Sequence, residues 1–185
     1  MLNEKDFLKI RNSNKEEPFF GKVYFVRVEE IWEKSKKVFE TEKALLKSIF
    51  PEADIQHVGG TSIPGSVTKG DIDIQIRIES NKFQEVVFIM KNKFLPINSN
   101  IWNDEFAIFA KRTMNKGKIE DVDYMITVIN SPYDDFYKVR DFLKLHPDLL
   151  NEYNEIKKTH EGKSYDEYRK SKKDFLGRNG AIRFF

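Results

Sequence analysis

Apolar and polar residues alternate without a break from Asp71 to Ile78. Ile72, Ile74, Ile76 and Ile78 fall on one side of an extended chain, and Asp71, Asp73, Gln75 and Arg77 on the other. Period-two alternation of β-branched residues predicts a strand with one buried face. Upstream the period changes. Ile31/Trp32, Ser35, Val38/Phe39, Glu42, Leu45/Leu46 and Ile49/Phe50 recur at helical spacing, which predicts an amphipathic helix from Glu29, ended by Pro51. Its apolar stripe reads as core packing, and Trp32 is assigned no chemistry.

Shorter patterns fill in the rest. Residues 1–20 are weakly patterned, with a short helix expected around Phe7, Leu8 and Ile10 before a turn at Pro18, and Gly21 to Val28 reads as a short strand. Further strands are expected at Asp54–Val58, at Glu105–Arg112, and at Ile119–Ile129 as the return of a hairpin with Asn115-Lys116-Gly117 at its tip. Ser80 or Asn81 is placed to cap a helix carrying Phe83, Val86/Val87 and Met90. Beyond residue 130 the pattern is helical. Ser131-Pro132 with Asp134 resembles a capping box before Phe136, Val139 and Phe142/Leu143. Pro147 opens a helix with Leu149/Leu150, Tyr153 and Ile156, which Gly162 breaks. Ser164 with Glu167 forms a second box before Tyr168, Lys172 and Phe175. The fold class expected is α+β: a mixed β-sheet flanked by helices over 1–130, with a helical C-terminal segment over 131–185 packed on it as one unit.

Composition narrows the classes. The 185 residues suit one domain. The absence of cysteine excludes a disulfide framework and a thiolate zinc site. No apolar run reaches the length of a membrane span, and Met1-Leu2-Asn3-Glu4-Lys5-Asp6 lacks a signal-peptide core, so a cytoplasmic protein without a membrane partner is expected. The net charge of +2 does not indicate a nucleic-acid partner. Lysines do gather late in the chain, at Lys157-Lys158 and at Lys170, Lys172 and Lys173. They are expected on a solvated helix face, with a basic lip toward a phosphate-bearing substrate as the sharper alternative.

The candidate chemistry sits at one place. Asp71 and Asp73 share a strand face, and two carboxylates so close repel each other unless a cation, usually a divalent metal, lies between them. Just upstream, Gly59 and Gly60 allow backbone amides to converge on an anion, and Thr61 and Ser62 add hydroxyl donors. A phosphate cradle followed by Asp-x-Asp on a strand is a plan for holding a nucleoside triphosphate with Mg²⁺. The competing reading is a solvated edge strand entered through an ordinary Gly/Pro turn. On the later strand Asp121 and Asp123 both face away from Val122, Tyr124, Ile126 and Val128, and either would complete a carboxylate triad. His57, at a strand end, reads equally as a ligand contact or as a packed, hydrogen-bonded residue, and is kept out of the catalytic set.

The chain resembles the GrpB family, a branch of the nucleotidyltransferase superfamily. The resemblance is carried by His57-Val58-Gly59-Gly60-Thr61-Ser62-Ile63-Pro64-Gly65, Lys69 and Asp73-Ile74, then by Ser131-Pro132, Val139-Arg140-Asp141-Phe142-Leu143 and His146-Pro147, and by Tyr168, Lys172 and Phe175. It covers most of the chain from about Trp32 onward. It implies two Mg²⁺ ions and transfer of a nucleotidyl group from a nucleoside triphosphate. The chain departs from the family pattern at three places. Gly60 stands where the family usually has Ser. Gly70-Asp71-Ile72-Asp73 replaces Pro-Ile-Ile-Asp. Asp123 occupies the later-strand position where relatives often place His. The last departure selects Asp123 over Asp121, so Asp71, Asp73 and Asp123 are the expected catalytic metal ligands. Gly59, Gly60, Thr61 and Ser62 are expected at the nucleotide's phosphates, with Lys69, Arg140 and Lys172 neutralising charge. The acceptor is left open. The competing function is a nucleotide-binding or regulatory module that performs no turnover.

Overall fold

The computed structural model describes residues 22–111 and 121–178. The expected N-terminal helix around Phe7, the hairpin tip at Asn115-Lys116-Gly117, and Arg112, Ile119 and Glu120 at the expected strand ends lie outside those residues. The helix expected from Glu29 is α1, Val28–Ile49. It begins one residue earlier, because the Val28 amide already donates to Ser66 O, 2.9 Å away. Gly21 lies outside the described residues, and over the rest of the strand expected at Gly21–Val28 the structure has β1, Val26–Arg27. This pairs antiparallel with β3, Val67–Thr68, in a two-stranded ribbon.

The main sheet has five strands. β2 (Asp54–Val58) lies at one edge, followed by β4 (Ile72–Ile78), β7 (Val122–Val128), β6 (Phe106–Lys111) and β5 (Leu95–Pro96) at the other edge. β4 and β7 are parallel and the remaining neighbours antiparallel, so the sheet is mixed as expected. The alternating isoleucines of β4 face a core shared with α1 and with α2, Phe83–Lys91. Helix α2 starts after a 3₁₀ turn at Ser80–Lys82, and neither Ser80 nor Asn81 caps it with its side chain.

The other face of β4 is not solvated. Gln75 is fully buried, and the helical segment covers it: α3 (Phe136–Leu145), α4 (Pro147–Thr159) and α5 (Tyr165–Arg178). Phe106, Met125 and Val58 on this face pack against Tyr133, Phe136 and Tyr137. The Tyr137 amide donates to Gln75 Oε1 (3.0 Å), and Gln75 donates to Thr127 Oγ1 and Asp134 Oδ1, both at 3.0 Å. The expected capping box at Ser131–Asp134 takes a different form. Helix α3 starts later, at Phe136, and Asp134 is a fully buried carboxylate clamped by Arg77 Nε and Nη2 at 2.6 and 2.7 Å. A buried acid needs a charge partner more than a helix needs a cap. Pro147 does open α4, and Ser164 does cap α5, its hydroxyl accepting from the Asp166 amide at 3.2 Å.

A candidate metal centre

Asp73 and Asp123 are register partners on β4 and β7. Opposed residues of neighbouring strands point to the same face, so the two carboxylates stand side by side. Asp71 enters just before β4. An oxygen of each of the three lies within 4.8 Å of the others, with all three residues half-buried. The sequence left Asp121 and Asp123 open on residue pattern alone, and the strand pairing brings Asp123 into the cluster. Burial, then the charges of Asp71 and Asp123, push the Asp73 carboxyl up to about 8. A cation placed among the three carboxylates would relieve that repulsion.

The donor set, carboxylate oxygens alone, fits magnesium. The glycine loop closes against the same cluster. Gly59 sits at φ +71°, and a Cβ there would lie far inside van der Waals contact distance of Asp73 Oδ2. Only glycine allows both that backbone conformation and that approach.

Thr61 is fully buried, and its hydroxyl donates to Asp71 O at 3.0 Å. The Ser62 hydroxyl donates to Gly59 O at 2.7 Å. These hydroxyls, expected at phosphates, thus make their hydrogen bonds inside the loop, where they fix its shape and the backbone of Asp71. Of the two readings open for His57, the structure shows the packed one. It stacks on Phe39 at 4.7 Å, lies 3.1 Å from Thr61 Oγ1, and has its pKa pushed down to about 4 by burial, with Arg140 and Lys144 adding to the effect.

The three expected cations part company. Lys69 Nζ lies 2.8 Å from Asp71 Oδ2 and 5.2 Å from the Tyr165 ring centre. Burial opposes its charge, but Asp71 foremost holds its pKa well above the ordinary value. Lys172, exposed on α5, has its pKa raised by Tyr153 first and by Asp73 as well. Arg140 is turned to the sheet edge: it donates to His57 O (2.8 Å) and Gln56 Oε1 (3.0 Å) and pairs with Asp141 at 2.7 Å. It thereby satisfies the outer side of β2.

Sequence reasoning missed Lys157. Its expected solvated helix face holds for Lys158 and for Lys170, Lys172 and Lys173, which are exposed, but Lys157 is only 2% exposed. Its pKa falls to about 7, through burial first and the nearby Lys172 charge second. The missed signal is spacing, since Leu150, Tyr153, Asn154 and Lys157 recur at i, i+3, i+4 and i+7. A groove of about 590 Å³ between α4 and α5, lined by Ile156, His160, Ser171, Asp174 and Arg178, contains none of the expected site residues.

A family model described as GrpB protein matches residues 25–179. The chain belongs to the GrpB family. Within it, a UPF0157 protein of Vibrio cholerae is 27% identical over 154 residues, covering 83% of this chain and 80% of that protein. The glutamate-rich protein GrpB of Alkalihalophilus pseudofirmus is 31% identical over 144 residues, covering 75% of this chain and 80% of the relative. The crystal structure of conserved protein GrpB from Enterococcus faecalis superposes with a TM-score of 0.59 at 18% identity, over 73% of this chain and 81% of that one. A Cid1 poly(U) polymerase structure with MgGTP bound superposes with a TM-score of 0.50 at 13% identity, over 83% of this chain and 46% of the polymerase. At these identities the likeness establishes the fold, a nucleotidyltransferase-like mixed sheet flanked by helices. Among the described residues of this GrpB-family chain, no helix is long and apolar enough to cross a membrane.

Proposed function

We propose that this GrpB-family chain is a Mg²⁺-dependent nucleotidyltransferase of the cytoplasm, moving a nucleoside monophosphate from a nucleoside triphosphate to a hydroxyl acceptor. One observation carries the reading: Asp73 and Asp123 on two paired strands converge with Asp71, just before the first of them, and the cluster is closed by a position that only glycine fits. Asp71, Asp73 and Asp123 are the residues that would hold the metal. Magnesium bound there, as one ion or two, would neutralise charge on the α-phosphate and lower the pKa of the acceptor hydroxyl.

The protein's own groups supply the rest. Asp123 takes the proton of the attacking hydroxyl at its carboxylate. The backbone of Gly59 and Gly60, held in shape by Thr61 and Ser62, faces the β- and γ-phosphates. Lys69 and Lys172 offset the charge that builds as pyrophosphate departs, and Arg140 holds the edge strand that carries the loop. Positioning and electrostatics of this kind account for most of the acceleration in phosphoryl-group transfer.

Asp73→Asn keeps the side chain's shape while removing its charge. The expected outcome is loss of Mg²⁺-dependent pyrophosphate release from nucleoside triphosphates, with an unchanged far-UV CD spectrum. Turnover retained by that variant would remove Asp73 from the mechanism. A second reading is favoured by the Lys69–Asp71 pair at 2.8 Å, in which the protein's own cation already occupies one carboxylate. It is a module that binds nucleotide without turning it over. Calorimetry with and without Mg²⁺, beside the release assay, separates the two, since binding without release supports the module.

A further inference from the structure

Lys157 lies outside the groups assigned to the nucleotide, and its surroundings are unusual for a lysine. On α4 it shares a face with Leu150, Tyr153 and Asn154. The first two enter a core with Ile63, Phe175 and Leu176. The other two turn polar atoms onto the chain that leaves the glycine loop. Asn154 Oδ1 accepts from the Val67 amide and its Nδ2 donates to Gly65 O, each at 2.8 Å. Lys157 Nζ donates to Val67 O at 2.6 Å and Ser66 Oγ at 3.2 Å, and stands 3.9 Å from the Tyr153 ring centre. Burying an ammonium against neutral oxygens is costly, and an apolar side chain of like volume would fill the space at less expense. Packing alone does not explain the lysine.

What it grips leads to the site in two directions. Gly60 is wedged against Thr68 and Ser66: a Cβ on it would lie 3.1 Å from Thr68 Oγ1 and 3.6 Å from Ser66 Oγ. In the other direction Thr68 Oγ1 accepts from the Gly70 amide at 3.0 Å, one residue before Asp71. Helix α1 grips the same stretch from its first turn. Glu29 Oε1 accepts from the Gly65 amide (2.8 Å), and the Val28 amide donates to Ser66 O. Where residues 65–68 stand therefore decides where Gly60 and Asp71 stand.

We propose that Lys157, seconded by Asn154, is a positioning residue for the glycine loop: it ties Ser66 and Val67 to the helical segment and so fixes the backbone that faces a nucleotide's phosphates. The identity of that ligand rests on the nucleotidyltransferase reading. The mechanical claim does not.

Amide hydrogen exchange by NMR on the metal-free full chain tests the mechanical claim directly, using Lys157→Met, which keeps the side chain's length and removes its charge. The expected result is exchange at Ser62 and Ile63, whose amides donate to Gly59 O and Gly60 O, faster by about tenfold or more, with Ile74 and Ile76 in the central strand unchanged. Ser66→Ala, a gentler change that serves if Lys157→Met fails to fold, gives a smaller acceleration at the same amides. Unchanged loop exchange, or equal acceleration throughout the chain, overturns the proposal and leaves Lys157 a packing residue. A second arm measures binding of inorganic triphosphate with Mg²⁺, and of Mn²⁺ alone. Lys157→Met should weaken triphosphate by about tenfold or more, and Mn²⁺, which meets the released stretch only through Asp71, by a smaller factor. Triphosphate binding at wild-type strength in the variant also overturns the proposal. A wild-type protein that binds no triphosphate instead sinks the nucleotide reading, and the exchange arm still decides the role of Lys157.

Discussion

At Gly59 two constraints meet that glycine alone satisfies, a left-handed backbone and direct apposition to the Asp73 carboxylate. Gly162 offers a natural control, since it has φ +76° but nothing within 4 Å of where its Cβ would be. Gly59→Ala and Gly162→Ala should therefore both incur backbone strain of about 1–2 kcal/mol. Only Gly59→Ala should also push Asp73 aside and weaken Mn²⁺ binding, by about tenfold or more. Calorimetric titration of the two variants checks this, and equal metal affinities would mean the loop does not close on the cluster. His57 makes a different prediction. Its pKa is about 4 folded against 6.5 free, so its contribution to stability is complete above pH 6.5 and is lost as pH falls through 4. The full shift corresponds to about 3 kcal/mol at most. Asp73, pushed up to about 8, acts in the opposite sense, stabilising the metal-free fold at low pH and losing that contribution as pH rises through 8. The two effects overlap between pH 4 and 6.5, so the informative quantity is a difference. Subtracting the melting profile of His57→Gln from that of the wild type should leave a term that declines from pH 6.5 to 4.

Among the elements, what could be read from the sequence was whatever a short period encodes. The isoleucine alternation located β4, the helical stripe located α1, and Pro147 located the start of α4. The pairing of Asp73 with Asp123 was not readable from pattern, because register between strands 50 residues apart is decided by the turns and helices between them. The most informative failure is the polar face of β4. Alternation says that Gln75 and Arg77 avoid the isoleucine core, but not what covers them. Both turn inward to Asp134, whose sequence context suggested a helix cap. The pairing is chemically sound: Arg77 grips Asp134 with two nitrogens, takes Asp54 with a third at 2.6 Å, and lies 4.2 Å from the Tyr137 ring centre. Lys157 was hidden for the same reason. A charged residue on the buried side of a helix breaks the rule by which buried sides are recognised, and such departures gather where a protein does something besides pack.

Across the whole molecule, the helical segment is a structural half of the site rather than an appendage. Ile63 of the loop is buried among Leu143, Leu150 and Phe175 of the segment, and Val67 packs with Tyr168. Gln75 and Thr127, fully buried on the sheet, both lie within hydrogen-bond reach of Asp134. Cutting the chain after residue 130 would strip Gln75 and Thr127 of their Asp134 partner and would expose Phe106 and Met125 to water, with the loop's grip on α4 gone. The fragment 1–130 should accordingly give neither a dispersed amide spectrum nor a cooperative melt. The full chain carries its own internal test. Both tryptophans, Trp32 and Trp102, lie in the first lobe, whereas α3, α4 and α5 contribute strongly to far-UV CD. In chelator-treated protein, urea transitions followed by tryptophan fluorescence and by CD at 222 nm should coincide in midpoint and slope. If the CD transition came first and left the fluorescence unmoved, the helices would be melting off an intact sheet, and the site would be the property of the first lobe alone.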